Sequence, residues 1–130
     1  MVDSLLDTAI VVDLLRGYQP AEAWFATMGQ VGITPIVWLE VIQGVENKRE
    51  QELAVKLLSA VERIDLTGAD FDWAIERALQ FRLSHNIDMM DCLIAAPGHR
   101  LGITVYTMNL KHFQPMLGSL CERPYQYQQP

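Results

Sequence analysis

Short β-branched apolar runs alternate with longer stretches of helical period along most of this chain, with brief connections, and few folds accommodate that order. Ser4-Leu5-Leu6, Val31-Gly32-Ile33-Thr34, Arg63-Ile64-Asp65-Leu66 and Ile103-Thr104-Val105-Tyr106-Thr107 read as strands. Between the first two, Ala9 to Arg16 has helical spacing and stops at Gly17, and Pro20 opens a stretch over Ala21 to Met28 that Gly29 closes. Pro35 stands where the next helix begins, and Ile36, Val37, Leu39, Val41, Ile42 and Val45 crowd one side of it. From Glu50, Leu53, Leu57, Leu58 and Val61 recur at three- and four-residue steps. Gly68-Ala69-Asp70 starts a helix that reaches about His85-Asn86, and another begins near Asp91 with Cys92-Leu93-Ile94-Ala95-Ala96. Strands separated by helices in this way pair in parallel through right-handed crossovers, with helices on both faces. The expected fold is a three-layer α/β/α domain with a central parallel sheet of four to five strands.

The chain has 130 residues, which suits one domain with a full core, and shows no internal repeat or linker. The domain is expected over 1–120, followed by a short polar and aromatic tail over 121–130 that is loosely held. Half the residues are apolar and a fifth are charged, which excludes a disordered polar chain. No uninterrupted apolar run approaches the roughly 18 residues of a membrane span. Met1-Val2-Asp3-Ser4 lacks a basic leader, so a cytoplasmic location is expected. Cys92 and Cys121 have no metal-binding spacing and read as reduced thiols. Ten Lys and Arg against sixteen Asp and Glu leave a charge of −6, which argues against broad electrostatic attraction to nucleic acid. It leaves room for an enzyme whose carboxylates act through bound cations.

In such sheets ligands bind beyond the carboxyl ends of the strands, near the point where strand order reverses. Asp7 follows the first strand, Glu40 lies on the helix after the second, Asp91 begins the helix before the last strand, and Asn109 follows that strand. The four can meet at one edge. Carboxylates gathered without a basic partner repel one another and raise each other's pKa values, so such a cluster calls for hard cations. Mg²⁺ or Mn²⁺ fits, and the chemistry suits phosphodiester hydrolysis. Structural roles compete at each position. Asp7 and Asp91 are also good N-caps, and Asp88 is a weaker candidate three residues before Asp91. Asn109 suits a turn, and His85, His99 and His112 read as ordinary surface or half-buried histidines. Glu40, among Trp38, Leu39, Val41 and Ile42, is the hardest to explain structurally, because burying it unpaired costs several kcal/mol.

Four stretches carry a family resemblance: Leu5-Leu6-Asp7-Thr8-Ala9-Ile10, Trp38-Leu39-Glu40-Val41-Ile42-Gln43-Gly44, Asp91-Cys92-Leu93-Ile94-Ala95-Ala96 and Tyr106-Thr107-Met108-Asn109-Leu110-Lys111-His112-Phe113. In order and spacing they resemble the signature stretches of PIN domains, and among these the small single-domain toxins of VapBC-type toxin–antitoxin pairs. The resemblance extends to about Leu117. It implies a metal-dependent ribonuclease with Asp7, Glu40 and Asp91 as the metal-holding acids and Asn109 at a fourth catalytic position. His112 stands where many members have a further Asp, Ala9 where many have Asn or Ser, and Pro97-Gly98 where the helix usually continues with Ala and Thr. Pro costs about 3 kcal/mol inside a helix, so the helix from Asp91 is expected to kink or stop there, moving His99 and Arg100.

The expected activity is endonucleolytic cleavage of RNA with Mg²⁺ or Mn²⁺, leaving a 5′-phosphate and a 3′-hydroxyl. Thr8 and Thr107 are candidates to position water or a phosphate oxygen, and Arg100 and Lys111 to touch the RNA backbone. Trp24, Trp38, Trp73 and the tail tyrosines are either core residues or base-stacking platforms. The resemblance also implies a homodimer and a small antitoxin whose tail enters the acidic groove, with the helices from Pro20 and Glu50 as candidate docking surfaces. The competing reading is a catalytically degenerate PIN-like binding or oligomerisation module. A phosphoacceptor receiver domain fits less well, since Asp7 has no adjacent acid and Lys111 lies beyond a loop.

Overall fold

The computed structural model describes residues 1–127. The first strand, β1 (Ser4–Leu6), is buried along its whole length. It is followed by α1 (Thr8–Leu15), α2 (Gln19–Phe25), β2 (Val31–Ile33), α3 (Pro35–Gln43), α4 (Lys48–Ala60), β3 (Glu62–Arg63), α5 (Gly68–His85), α6 (Met89–Leu101), β4 (Thr104–Tyr106), α7 (Leu110–Leu117), a short 3₁₀ turn and β5 (Cys121–Glu122). The five strands form one parallel sheet in the order β3-β2-β1-β4-β5. The chain winds outward from β1 through β2 to β3, then returns across the sheet to β4 and β5. The reversal falls between β1 and β4, and it decides where the site lies. Helices α1 to α4 pack mainly among themselves and α5 to α7 mainly among themselves, with α3 also meeting α6.

Local chemistry sets the helix starts. Asp7, Thr34, Asn47, Thr67 and Asp88 each occupy an N-cap with the side chain accepting a backbone N–H, and Thr67 with Asp70 completes a reciprocal capping box. Pro35 sits in the first turn of α3 as its sequence position predicts. The core is continuous through the sheet: Leu5, Ile10, Ile33, Val37, Ile94, Val105 and Phe113 are all fully buried. Cys92 and Cys121 are free and buried, in keeping with reduced thiols. Among the described residues no helix is long and apolar enough to cross a membrane.

Three expectations need correcting. Helix α6 runs through Pro97 to Leu101 and ends only at Gly102, whose left-handed backbone (φ 65°) caps it. Packing overrides the lost hydrogen bond. Ile94 to Gly98 form an unbroken buried run, and Gly98 lets the helix press onto β4, because a Cβ there would lie 2.5 Å from Val105 Cγ2. The helix also begins at Met89 with Asp88 as its cap, so Asp91 lies in the first turn and does not cap it. The last segment is tied down as far as residue 127. Cys121–Glu122 pairs with β4, Arg123 donates to Met108 O at 3.2 Å, and the Tyr125 hydroxyl donates to Asp13 Oδ2 at 2.6 Å. Tyr125 and Tyr127 pack on Tyr18, and Tyr125 also meets Trp24. The expected loose tail missed these long-range contacts. Its final residues, 128–130, lie outside the described residues.

Candidate active site

The parallel pairing of β1 with β4 sets Leu6 beside Tyr106, and the Asp7 N–H donates to Tyr106 O at 2.9 Å. The residues just past the two strands, Asp7 and Thr107, therefore stand together at the carboxyl edge where strand order reverses. Asp7 is both cap and site residue. Its Oδ1 accepts from the Thr8 N–H at 2.8 Å, and its Oδ2 accepts from the Thr107 hydroxyl at 2.7 Å. Thr107 is fully buried, and its oxygen in turn accepts the Asn109 N–H at 2.9 Å. From α1, the Thr8 hydroxyl donates to Glu40 Oε1 on α3 at 2.6 Å. From α7, His112 Nδ1 lies 2.9 Å from Asp91 Oδ2 on α6. Asp88 is spent at Oδ1 on the Met90 N–H, 2.8 Å away.

Burial is the main force raising the Asp7 pKa. The hydrogen bonds from Thr107 and Thr8 pull it back, and the charges of Glu40 and Asp88 push it up again, leaving it above the usual carboxylate range. Burial likewise drives Asp91 up to about 6, opposed by the His112 hydrogen bond and reinforced by the charges of Asp7 and Asp88. Among the described residues no Lys or Arg pairs with Asp7, Glu40, Asp88 or Asp91. The acids are thus collected at a cost that a bound cation would offset.

The donor set suits a hard cation, because carboxylate oxygens are what Mg²⁺ and Mn²⁺ prefer. Glu40 Oε2, Asp91 Oδ1 and Asp88 Oδ2 accept no bond from the protein among the described residues. No group of three His, Cys, Asp or Glu side chains among the described residues is close enough to enclose an ion outright.

The sequence-predicted positions divide sharply. Asp7, Glu40 and Asp91 come together in one field of charge, with Asn109 at the N-cap of α7 beside them, its side chain making no cap bond. Thr8 and Thr107 do line this corner, but each gives its hydroxyl hydrogen to a carboxylate, and buried Thr107 cannot reach a substrate. Both hydroxyls are committed to the acids they hold. Arg100 is not at the site: it lies nine residues along α6 from Asp91, about 14 Å by helical rise, where it grips Asp70 at 3.0 Å and Asp65 O at 3.3 Å. Lys111 is exposed on the first turn of α7. Trp24, Trp38 and Trp73 are partly buried against the core, so the structural reading of all three holds. His112 is the contact that local sequence reading undervalued. It lies three residues beyond Asn109, in the first turn of the helix that follows β4, and that position was its available signal.

Beside Glu40, a cleft of about 390 Å³ opens between α1, α3 and α4, lined by Val12, Leu15, Arg16, Val41, Glu46 and Leu53 among others. The widest exposed apolar stripe lies elsewhere, on α5. Phe71, Ile75, Leu79 and Leu83 fall one turn apart there, and Leu83 is 98% exposed. The faces of α2 and α4 are less open: Ala21, Ala54 and Leu58 are buried, while Leu53 and Val55 stay exposed.

Comparison with known proteins agrees with this architecture. The chain is 34% identical over 128 residues to ribonuclease VapC19 of Mycobacterium tuberculosis, covering 93% of this chain and 98% of that one. It is 28% identical to ribonuclease VapC1 of Rickettsia felis, covering 88% and 90%. Among solved structures, a toxin–antitoxin complex from Klebsiella pneumoniae superposes with a TM-score of 0.78 at 24% identity, covering 95% of this chain and 99% of that one. Residues 4–114, which carry the whole acidic corner and the strands that build it, match the PIN domain model, and this chain belongs to the PIN domain family.

Proposed function

We propose that this protein is a divalent-cation-dependent endoribonuclease that hydrolyses RNA phosphodiester bonds, and that it is the toxin of a type II toxin–antitoxin pair. The observation that carries this reading is the corner between β1 and β4, where Asp7, Glu40 and Asp91 share one electrostatic field without a Lys or Arg partner. Asp7, Glu40 and Asp91 are the residues that would hold Mg²⁺ or Mn²⁺. Bound there, the ion supplies charge neutralisation for phosphate oxygens and acidifies water. The protein's own part is to orient: Thr107 and Thr8 fix Asp7, Thr8 fixes Glu40, and His112 fixes Asp91. Lys111 stands exposed on the same edge and is assigned to the RNA backbone, and Asn109 to the substrate side of the acids. The role is supported by the ribonuclease names of the relatives and by the toxin–antitoxin complexes among the structural neighbours.

An antitoxin with a basic segment suits the acidic cleft beside Glu40, where Glu46 and Glu50 extend the negative surface. A homodimer suits the bare apolar stripe of α5, which a second copy would cover. A catalytically silent binding module is the second reading, favoured by the lack of a closed three-ligand group among the described residues. The deciding experiment is cleavage of total cellular RNA with Mg²⁺ or Mn²⁺ by the wild type and by folded Asp7→Asn and Asp91→Asn proteins. The nuclease reading requires cleavage by the wild type alone, abolished by EDTA. Cleavage that survives EDTA refutes cation dependence. Absence of cleavage and of cation uptake by any protein, freed of inhibitor, establishes the silent module.

A further inference from the structure

Two acids of the corner, Glu40 and Asp91, share a pattern: each is anchored through one oxygen by a side chain on a different helix, and the other oxygen is left open. For Glu40 the anchor is the Thr8 hydroxyl of α1, leaving Oε2. For Asp91 it is the imidazole of His112 on α7, leaving Oδ1. An ionised carboxylate only accepts hydrogen bonds, so the ring nitrogen facing Asp91 Oδ2 at 2.9 Å carries a hydrogen and donates it. Both partners are largely enclosed, with the His112 side chain 25% and the Asp91 side chain 16% exposed, so water competes poorly for this bond. Helix α7 has a second tether here, since the Asn109 N–H is held by Thr107, which also holds Asp7. The α7 N-terminus therefore reaches both Asp7 and Asp91, one through Thr107 and the other through His112.

We propose that His112 is a positioning residue for cation binding: its imidazole clamps Asp91 Oδ2 and thereby aims Oδ1 at the cation. The inference rests on the cation-binding reading above and assigns a task to His112, whose ring nitrogen lies against Asp91 Oδ2. His112 acts through Asp91 and not as a ligand. It supplies orientation, not charge. Partners that hold a ligand from behind typically contribute about ten- to a hundredfold in metal affinity.

Calorimetric titration of the full chain with Mn²⁺ tests this without reference to RNA cleavage. Relative to wild type, His112→Ala weakens Mn²⁺ binding about tenfold while the metal-free protein melts within a few degrees of wild type. His112→Asn, which keeps an N–H donor at nearly the same reach as Nδ1, recovers binding to within about threefold. In an Asp91→Asn background, His112→Ala has no further effect, because the clamp works only through Asp91. Unchanged Mn²⁺ affinity in His112→Ala overturns the proposal. So does an Asn variant as weak as Ala, which would mean that the imidazole itself touches the ion. If His112→Ala does not fold, His112→Leu, which fills similar space without an N–H, takes its place on the same tenfold criterion. A folded wild type that takes up no Mn²⁺ removes the cation reading and the clamp together, an outcome distinct from failure of the clamp alone.

Discussion

A carboxylate lies at each end of α6, Asp70 buried against its C-terminal end and half-buried Asp91 on its own first turn, and the two are treated in opposite ways. At the C-terminal end Asp70, 1% exposed, is gripped by the Arg100 guanidinium through both oxygens. Burial pushes its carboxyl up, but Arg100 and the Thr67 cap outweigh that and hold it below the ordinary value. At the N-terminal end Asp91 has only a histidine for company and two acids nearby, and its carboxyl is pushed up to about 6. A buried acid is therefore not by itself a sign of a site. On the proposed reading, the acid that the fold leaves without a permanent cation is the one that takes a mobile one.

The largest effect expected from this contrast is on cleavage. Asp7→Asn and Asp91→Asn each reduce the initial rate of Mn²⁺-supported RNA hydrolysis by at least about a hundredfold, the scale seen when one preorganised polar group is lost. An Asp91→Asn protein with near-wild-type rates would erase the distinction between the two ends. Arg100→Ala, in contrast, leaves Asp70 buried and unpaired, and urea unfolding at pH 7 shows a loss of about 3 kcal/mol. Because the folded pKa of Asp70 is depressed, its contribution is present above the unfolded value of 3.8 and is lost as pH falls through the folded one. The gap between Arg100→Ala and wild type consequently narrows in acid.

Asp91 has the opposite sign. Its raised pKa makes the metal-free protein relatively stable below 3.8 and less stable as pH rises through about 6. Asp91→Asn removes that penalty, so the metal-free variant unfolds at higher urea than wild type at pH 7.5, by about 1–3 kcal/mol, and the gain vanishes near pH 4. The rise in melting temperature that Mn²⁺ gives the wild type fades over the same interval, since protons and the cation compete for one carboxylate. The smallest effect is at the far side of α1. Tyr125→Phe deprives buried Asp13 of its hydroxyl partner and costs about 1 kcal/mol in thermal or urea unfolding, with cleavage unaffected.

Much of this was readable from residue order. The alternation of strands and helices predicts the parallel sheet, and Pro35 and Gly68-Ala69-Asp70 mark helix starts, although the caps just before them, Thr34 and Thr67, are seen only in the structure. The three acids could be singled out because each follows or opens an element at the carboxyl edge. What escaped is long-range. Pro97 argues locally for a broken α6, yet five consecutive buried residues against β4 hold the helix together. Arg100 is a free cation in the sequence and Asp70's partner in the fold, thirty residues away. The tail is polar and aromatic by composition but is fixed by Asp13, more than a hundred residues earlier.

The sequence by itself determined the class of fold, the starts of α3 and α5 and which acids lie at the carboxyl edge, because period, turn residues and residue type act within a few positions. Only the tertiary structure decided which acid keeps a permanent cation and which is left open. Both Arg100 and His112 become partners through the packing of α6 against α5 and α7, and no local pattern encodes a meeting of side chains on separate helices.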